Sequence, residues 1–506
     1  MQKRDQSQKF FIFIKPYTYD SPVENIGIPF LCGQLEKSDY QAIIIDYQKK
    51  FTAISSSERK AIINPLKKDL KKKKQIDNYF FPFFSDFFVS TFPEEIWSAT
   101  NKFDKKIEKI FLKNLNDYNK ARYIGISVAS SFPLLFSLRL AQYIKNHCKN
   151  NPKIIFGGFY ITENYKNLIP VLEKNPIIDY LVIGEGEPAI YSLVNRKKIN
   201  EIPGLIYLDN NHYEFSKNLI HNEDINNSMP PIFDISEKEK FLQASKKCYW
   251  GKCAFCVADT NKNTPNFSTK DPKKIIEDIR TNIDFVNKKN NKFTFTDSAL
   301  KTGFIEKLSK ELAKKENIDL IKDANLKLGS YLRFEKNIDY SLLSKARAAG
   351  FCFFIFGLET SIPRLLKLVN KGIELSSAFR ILDACSKLGI MADIQLIIGL
   401  PTQTKKELLK DLFFIKKILE KYSNTRFFVK PFMLLSGSPI FNHPKKYKIK
   451  IVQKTLPFQK INRFKQLKKN ALSPKDAVAI FKDFFSKEIK NKEKNKRIYL
   501  MFDDSV

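Results

Sequence analysis

The sequence has 506 residues, of which 43% are hydrophobic and 13% aromatic, and this composition is typical of a folded globular chain with more than one domain. Its 7 cysteines are too few and too scattered for a secreted disulfide framework, and no run of about 18 apolar residues predicts a membrane span. The net charge of +33 fits an acidic partner, but lysine occurs in nearly every segment, so diffuse enrichment of solvated faces is the simpler explanation and nucleic-acid binding is not favoured.

The N-terminal part, residues 1–200, alternates short apolar runs with amphipathic stretches. Apolar residues at three- and four-residue spacing predict a helix over 134–145, and similar patterns fill much of the space between the runs. Alternation of this kind predicts a doubly wound parallel sheet, with a longer insertion at about 55–118. The predicted strands are 10–14, 42–45, 123–128, 153–156 and 180–183.

The chain changes character at residues 201–240, where a predicted hairpin over 204–215 is followed by a linker at Met229-Pro230-Pro231. Alternation resumes over 241–440 and predicts a partial (β/α)6 barrel. Its predicted strands are 241–244, 292–296, 328–333, 351–356, 392–398 and 427–432. The remaining residues, 441–506, form a strongly basic tail in which Ser473-Pro474 predicts the start of a helix.

Three of the 7 cysteines lie in the nine-residue window Cys248-Tyr249-Trp250-Gly251-Lys252-Cys253-Ala254-Phe255-Cys256. Three thiolates this close can share one inorganic centre, yet a structural zinc or a fully ligated four-iron cluster takes four protein ligands. The window follows the first predicted barrel strand, where loops of barrel enzymes carry catalytic groups. Either one metal position is open for a substrate or cofactor, or a distant Cys or His completes a zinc knuckle.

This window resembles the cluster motif of the radical S-adenosylmethionine (SAM) enzymes, although four residues rather than the usual three separate its first two cysteines. Further segments resemble the family in the same order over roughly 200 residues: Phe293–Ser298, Gly357-Leu358-Glu359, Lys371-Gly372, Gly389 and Gly399-Leu400-Pro401. The resemblance implies that Cys248, Cys253 and Cys256 ligate a [4Fe-4S] cluster. It also implies contacts to SAM, for which the candidates are Asp297, Arg333, Glu359 and Gly399; a structural ion pair is an equally good explanation of Arg333.

The N-terminal part resembles the cobalamin-binding domain that precedes many radical SAM domains. A glycine pair after a strand permits close backbone approach to a bulky cofactor. The candidate contacts are Ser127, Gly157, Gly158, Gly184, Glu185 and Gly186, although Glu185 also fits a cap of the following helix. Gln48 stands where many cobalamin proteins place the His that ligates cobalt. We therefore expect either cobalamin without a His ligand or a domain that no longer binds it.

The resemblance implies reductive cleavage of SAM to methionine and a 5′-deoxyadenosyl radical, with cobalamin-dependent methyl transfer or rearrangement on an unidentified substrate. The expected partner is a flavodoxin- or ferredoxin-type electron donor. The polar first residues argue against a signal peptide, so a cytoplasmic enzyme is expected. The alternative is a basic RNA-binding or RNA-modifying protein with a zinc knuckle.

Overall fold

The computed structural model describes residues 9–16, 27–36, 38–47, 108–129, 131–218, 224–234, 237, 239–257, 267–453, 461–486 and 497–501. Most of the predicted insertion at 55–118 lies outside these ranges. Contacts divide the chain into an N-terminal unit that ends at Asn222 and a C-terminal unit that begins at Glu223. The N-terminal unit therefore includes the predicted hairpin. No helix within the described ranges is long and apolar enough to cross a membrane.

The described part of the N-terminal unit is built on a seven-stranded sheet in the order β2-β1-β3-β4-β5-β6-β7. Strands β1 to β5 run parallel, as predicted, and the hairpin β6–β7 extends the sheet antiparallel beyond β5. The strands are β1 Lys9–Lys15, β2 Tyr40–Asp46, β3 Ala121–Ser127, β4 Lys153–Gly157, β5 Tyr180–Val182, β6 Leu205–Asp209 and β7 His212–Phe215.

Helices α1 to α5 accompany this sheet. They span Gly27–Gly33 (α1), Leu115–Lys120 (α2), Ser131–His147 (α3), Phe159–Leu172 (α4) and Gly186–Val194 (α5). The inner strands are buried because they are almost continuously apolar: Phe11, Ile12, Phe13 and Ile14 in β1 are each at most 1% exposed. The outer strands β2 and β7 are partly exposed. Parallel strands joined by helical crossovers form the predicted doubly wound architecture, in which ligands bind beyond the carboxyl ends of the strands.

The C-terminal unit is built on parallel strands in the order β19-β15-β14-β13-β12-β11-β8, as far as the described residues define it. Six of them, β8 and β11 to β15, follow one another in chain order as the predicted partial barrel requires. The strands of this unit are β8 Lys240–Leu242, β9 Ser245–Lys246, β10 Ser268–Thr269, β11 Lys292–Phe295, β12 Lys327–Leu332, β13 Phe351–Glu359, β14 Met391–Ile398, β15 Thr425–Pro431, β16 Leu434–Leu435, β17 Ile449–Gln453, β18 Ile461–Gln466 and β19 Ile498–Leu500.

Helices alternate with these strands, and an apolar core of strand and helix side chains fills the unit. The helices are α6 Pro272–Asn282, α7 Thr302–Leu312, α8 Ile318–Lys322, α9 Tyr340–Ala348, α10 Pro363–Leu368, α11 Leu375–Lys387, α12 Lys405–Lys421, α13 Pro439–Asn442 and α14 Pro474–Phe484. We call the edge at which the parallel strands of this unit end the carboxyl edge. The loops that leave it contain the predicted cluster and SAM residues.

The basic C-terminal segment contains strands as well as the predicted helix α14, which begins with the Ser473 cap and Pro474. Strands β16, β17 and β18 form a small antiparallel sheet, and β19 pairs with β15 at the edge of the barrel sheet. The sequence pattern concealed these strands because β16 is only two residues long and because Lys450, Arg463 and Lys465 interrupt the apolar residues of β17 and β18. The segment is therefore an integral part of the C-terminal unit.

Candidate cofactor sites

The three clustered cysteines lie on one loop that follows β9 and leaves the sheet near the carboxyl edge. Cys248, Cys253 and Cys256 are each half-buried, and none of the 7 cysteines, which all lie within the described ranges, forms a disulfide. The chain turns back on itself at Lys247 and Gly251, which both have positive φ angles. In the described part of the chain no three His, Cys, Asp or Glu side chains are close enough to hold a metal ion, so the thiols do not converge here.

Trp250 attaches this loop to the segment that follows α10. Its indole Nε1 donates a hydrogen bond to the Asn370 carbonyl oxygen (3.0 Å), and the Arg333 guanidinium lies 4.2 Å from its ring centroid. A Cβ atom at Gly372 would overlap the indole ring, and Gly372 also has a φ of +66°. Only glycine fits there without strain. The four-residue gap between the first two cysteines thus contains the residue that anchors the loop.

Hydrogen bonds hold the backbone on both sides of Cys253. Asn370 Nδ2 donates to the Lys252 carbonyl oxygen (3.0 Å), and the Ala254 N–H donates to the Val369 carbonyl oxygen (2.8 Å). The Ala254 carbonyl oxygen accepts from the Ile440 N–H (3.0 Å). Burial raises the pKa of the Cys253 thiol, and the positive charges of Lys371 and Arg333 oppose that rise. This cysteine is therefore fixed in place beside two cations.

Glu359, predicted to contact SAM, ends β13 with a φ of +69°, which is an unfavourable conformation for a residue other than glycine. Its Oε1 accepts from Lys371 Nζ at 2.8 Å, and both side chains are 8% exposed. A Cβ atom at Gly357 would lie 2.7 Å from each of these two atoms. The glycine of the Gly357-Leu358-Glu359 motif thus leaves room for a buried ion pair.

Two other predicted SAM residues are held by protein groups. Asp297 is 5% exposed, and its carboxylate accepts from the Ala244 N–H (3.0 Å) and the Ser245 hydroxyl. Burial raises the pKa of Asp297, and these hydrogen bonds oppose the rise. Arg333 is 4% exposed and donates to the Lys371 carbonyl oxygen. The structure brings both residues to the loops of the carboxyl edge, where Asp297 fastens the chain that leads into the cysteine loop.

Gly399, the fourth predicted SAM residue, follows β14 with a φ of +75°, and a Cβ there would lie 2.6 Å from Pro474 Cα. Its N–H donates to Gln403 Oε1 (2.7 Å), and Gln403 Nε2 donates to the Asp411 carboxylate (2.9 Å). Asp411, which is fully buried in α12, also accepts from the Thr360 hydroxyl (2.9 Å) and the Ser361 N–H (2.6 Å). One carboxylate therefore links the turns that follow β13 and β14.

The N-terminal unit contains a cavity of about 210 Å³ that is partly open to solvent. It lies at the carboxyl ends of β3, β4 and β5, where doubly wound sheets bind ligands. All six residues predicted to contact cobalamin line it: Ser127, Gly157, Gly158, Gly184, Glu185 and Gly186. Apolar side chains of β1, α1 and α5 complete the wall, namely Phe13, Ile28, Leu31 and Ile190. The structure thus brings the predicted residues together.

Two of these glycines lie where the surrounding atoms leave little room for a Cβ atom. Gly158 has a φ of +99°, and a Cβ there would lie 2.8 Å from the Val128 carbonyl oxygen. A Cβ at Gly186 would lie 2.9 Å from the Leu31 side chain. Glu185 stands at the N-terminal cap position of α5, but its side chain makes no cap hydrogen bond. None of the described residues that line the cavity is a histidine, and Gln48 lies outside the described residues.

Three residues important to the site were not predicted from the sequence: Trp250, Lys371 and Asp411. Trp250 and Lys371 lie inside segments that the sequence singled out, but no local pattern indicates their contacts. One signal was present for Lys371, because a Lys-Gly pair after a strand ending in glutamate provides a cation and a tight turn. Asp411 carries no such signal, since an acid within the lysine-rich α12 resembles a solvated residue.

Comparison with known proteins gives a match of residues 243–415 to the family model described as the Radical SAM superfamily. The uncharacterized methyltransferase PH0819 of Pyrococcus horikoshii is 24% identical over 58% of this chain and 64% of its own length. The anaerobic magnesium-protoporphyrin IX monomethyl ester cyclase of Rubrivivax gelatinosus is 24% identical over 51% of this chain and 48% of its own length. The chain thus spans about half to two thirds of these curated relatives.

Two solved structures share the fold over nearly the whole chain. One is the radical SAM methyltransferase TsrM of Kitasatospora setae, with tryptophan substrate and a SAM analog bound; its TM-score is 0.66 at 12% identity, over 98% of this chain and 92% of TsrM. The other is the cobalamin-dependent SAM radical enzyme OxsB, with aqua-cobalamin and SAM bound; its TM-score is 0.64 at 15% identity, over 96% of this chain and 68% of OxsB. At these identities the similarity establishes the fold.

Proposed function

Residues 243–415 form a domain of the radical SAM superfamily, and on that premise we propose that the protein is a cobalamin-dependent radical SAM enzyme. A [4Fe-4S] cluster would supply the electron that cleaves SAM into methionine and a 5′-deoxyadenosyl radical. Cobalamin would support methyl transfer or rearrangement on a substrate that the sequence does not name. The observation that carries the proposal is the anchored loop with three cysteines outside any disulfide at the carboxyl edge of the radical SAM domain.

The donor set of the loop fits an iron–sulfur cluster. Three cysteines within nine residues would leave one iron without a protein ligand, and that position would be available to a small chelating molecule. We propose that Cys248, Cys253 and Cys256 are the ligands and that cluster assembly draws their thiols together. Trp250 and the hydrogen bonds on both sides of Cys253 would hold the loop in place while its thiols move toward the cluster. Glu359, Arg333, Asp297 and Gly399 would shape the adjoining SAM site.

The lining of the cavity in the N-terminal unit suits contact with part of a bulky cofactor such as cobalamin. Its glycines let a bulky group approach the backbone, and its apolar wall excludes water from one side of it. Because no described lining residue is a histidine, we propose that any cobalt held there has no His ligand from this wall. Curated and solved relatives named as a methyltransferase and as cobalamin-dependent enzymes support the assignment.

We further propose a flavodoxin- or ferredoxin-type protein as the electron donor, since an acidic donor suits a chain with a net charge of +33. The cytoplasm is the proposed compartment because a cluster held by free thiols needs reducing conditions.

The test is metal analysis of matched variants after anaerobic reconstitution with iron, sulfide and cobalamin. Cys253→Ala should lose iron and keep cobalt, whereas Cys352→Ala, a half-buried cysteine of β13, should keep both. Gly157→Leu should lose cobalt and keep iron, because a Cβ there meets only Val182 at ordinary contact distance while a longer side chain fills the cavity. The matched control is Gly303→Leu, where nothing lies within 4 Å of an added Cβ. Zinc in place of iron, or equal cobalt in all variants, would contradict the proposal.

A further inference from the structure

The function proposed so far places Glu359 beside SAM but gives no role to its buried ion pair with Lys371. Its two charged atoms lie 2.8 Å apart, and each side chain is 8% exposed. Removing two charges from water is costly, and the attraction between them only partly offsets that cost. Replacing either partner alone would leave an unpaired charge inside the C-terminal unit. Such a pair contributes little net stability, which suggests another reason for its presence.

The surrounding backbone is adapted to this pair. Glu359 adopts a φ of +69°, a strained conformation for a glutamate, and Gly357 leaves the space that the two charged atoms occupy. Strained residues persist where neighbouring contacts determine their conformation, and they concentrate at functional sites. The strain and the glycine together indicate that the position of the two charges matters.

The pair lies beside the middle cysteine of the loop. Val369 and Asn370 hydrogen-bond to the residues on either side of Cys253, and Lys371 is the next residue along the chain. Lys371 Nζ also lies 5.9 Å from the ring centroid of Phe255. The Lys371 carbonyl oxygen accepts from Arg333, so its backbone is fixed as well. A positive and a negative charge are therefore held at fixed positions near the proposed cluster ligand.

We propose that the Glu359–Lys371 pair sets the reduction potential of the cluster held by Cys248, Cys253 and Cys256, with Lys371 raising it and Glu359 lowering it. Reduction adds one negative charge to the cluster. A nearby cation stabilises the reduced form and a nearby anion opposes it, and burial weakens the dielectric screening of both. This inference rests on the proposed function, because it requires that the loop hold an iron–sulfur cluster.

The experiment is a potentiometric titration of reconstituted protein without SAM, followed by the EPR signal of the reduced cluster. Lys371→Met should lower the midpoint potential, and Glu359→Gln should raise it. The double variant, which replaces the ion pair by two neutral side chains, should fall between the single variants. Lys371→Arg should stay near the wild type. The remote control is Lys292→Met, which removes a half-exposed lysine paired with Glu239 at the start of β11 and should leave the potential unchanged.

Shifts of opposite sign distinguish charge from damage, because a loop loosened by either substitution would move both potentials in the same direction. Equal potentials in all variants, or two shifts of one sign, would overturn the inference while leaving the proposed function intact. A wild-type protein without an iron–sulfur chromophore would overturn the proposed function, and this inference with it. Should Lys371→Met not fold, the double variant and Glu359→Gln still decide the sign.

Discussion

At the scale of single residues, the unusual spacing of the cysteine motif is explained by Trp250. The additional residue lengthens the loop between Cys248 and Cys253 enough for an indole ring to reach the turn at Asn370 and Gly372. The departure from the usual family spacing is therefore compatible with an ordered loop. Sequence comparison cannot reveal this, because the partners of Trp250 lie about 120 residues further along the chain.

Trp250→Ala should loosen the cysteine loop. The variant loses one hydrogen bond and one cation–π contact, worth together about 1–2 kcal/mol, so the detached loop should become roughly tenfold more populated. Iron should consequently leave the reconstituted variant faster when a chelator is added. The control variant is Trp97→Phe, which replaces the other of the two tryptophans of the chain and should leave the rate of iron loss unchanged. A variant that loses iron at the wild-type rate would show that Trp250 does not anchor the loop.

Gly372→Ala should destabilise the C-terminal unit through the same contact. In the wild type the new Cβ overlaps the indole of Trp250, and the positive φ adds backbone strain of about 1–2 kcal/mol. In a Trp250→Ala background only the strain remains, so the same substitution should cost less there. Urea unfolding of the four proteins of this double-mutant cycle measures the difference. Additive effects would mean that the ring and the glycine do not interact.

At the scale of elements, helix α12 determines how two turns of the carboxyl edge are placed. Asp411 binds Thr360 and Ser361 directly, and it reaches the N–H of Gly399 through Gln403. The turns after β13 and β14, which carry Glu359 and Gly399, are therefore joined by one buried carboxylate. A substitution in α12 can thus change the proposed SAM site without touching SAM.

Asp411→Asn should change the pH dependence of stability, because Asn has no carboxyl group to ionise. Burial raises the pKa of Asp411 to about 6, while its hydrogen bonds oppose the rise. Because the folded state then holds the proton more tightly than the unfolded state, stability falls as pH rises through the interval from about 4 to about 6. Ionisation costs about 3 kcal/mol, which Asn does not incur. When the pH is lowered from 7 to 5, the wild type should therefore gain stability relative to the variant, as the midpoints of urea unfolding would show. A difference in midpoint that does not change with pH would contradict this prediction.

The sequence predicted the elements well and the connections between them poorly. The predicted barrel strands at 292–296, 328–333, 392–398 and 427–432 begin and end within two residues of the observed strands, because apolar runs between helical patterns mark them. The prediction missed β16, which is only two residues long, and β17 and β18, in which Lys and Arg interrupt the apolar residues. It predicted the hairpin but set it apart from the N-terminal domain, whereas β6 and β7 extend the first sheet beyond β5. Long-range pairs such as Lys371 with Glu359 depend on tertiary packing and leave no local pattern.

At the scale of the whole molecule, the feature to explain is the net charge of +33. Part of it is diffuse, since lysines are exposed on many helices and pair with neighbouring acids in surface salt bridges of little energetic value. The excess that remains gives the molecule a positive field at long range. A field of this sign attracts acidic proteins and speeds their encounter.

Reduction of the cluster by a flavodoxin should therefore slow as salt is added. Raising the ionic strength from about 0.05 M to about 0.3 M shortens the screening length to below 10 Å, which suppresses steering of an acidic donor. Stopped-flow measurement of cluster bleaching gives the rate, and dithionite, a small anion, serves as the reference reductant. If the flavodoxin rate depends on salt no more than the dithionite rate, the charge does not guide the donor.

The central claim is that three cysteines hold a cluster with one iron position open to SAM. The direct measurement is the EPR spectrum of the reduced wild-type protein, recorded with and without SAM. We expect the signal of a reduced [4Fe-4S] cluster that changes its g values when SAM is added. A protein without that signal, or a cluster whose signal SAM leaves unchanged, would contradict it.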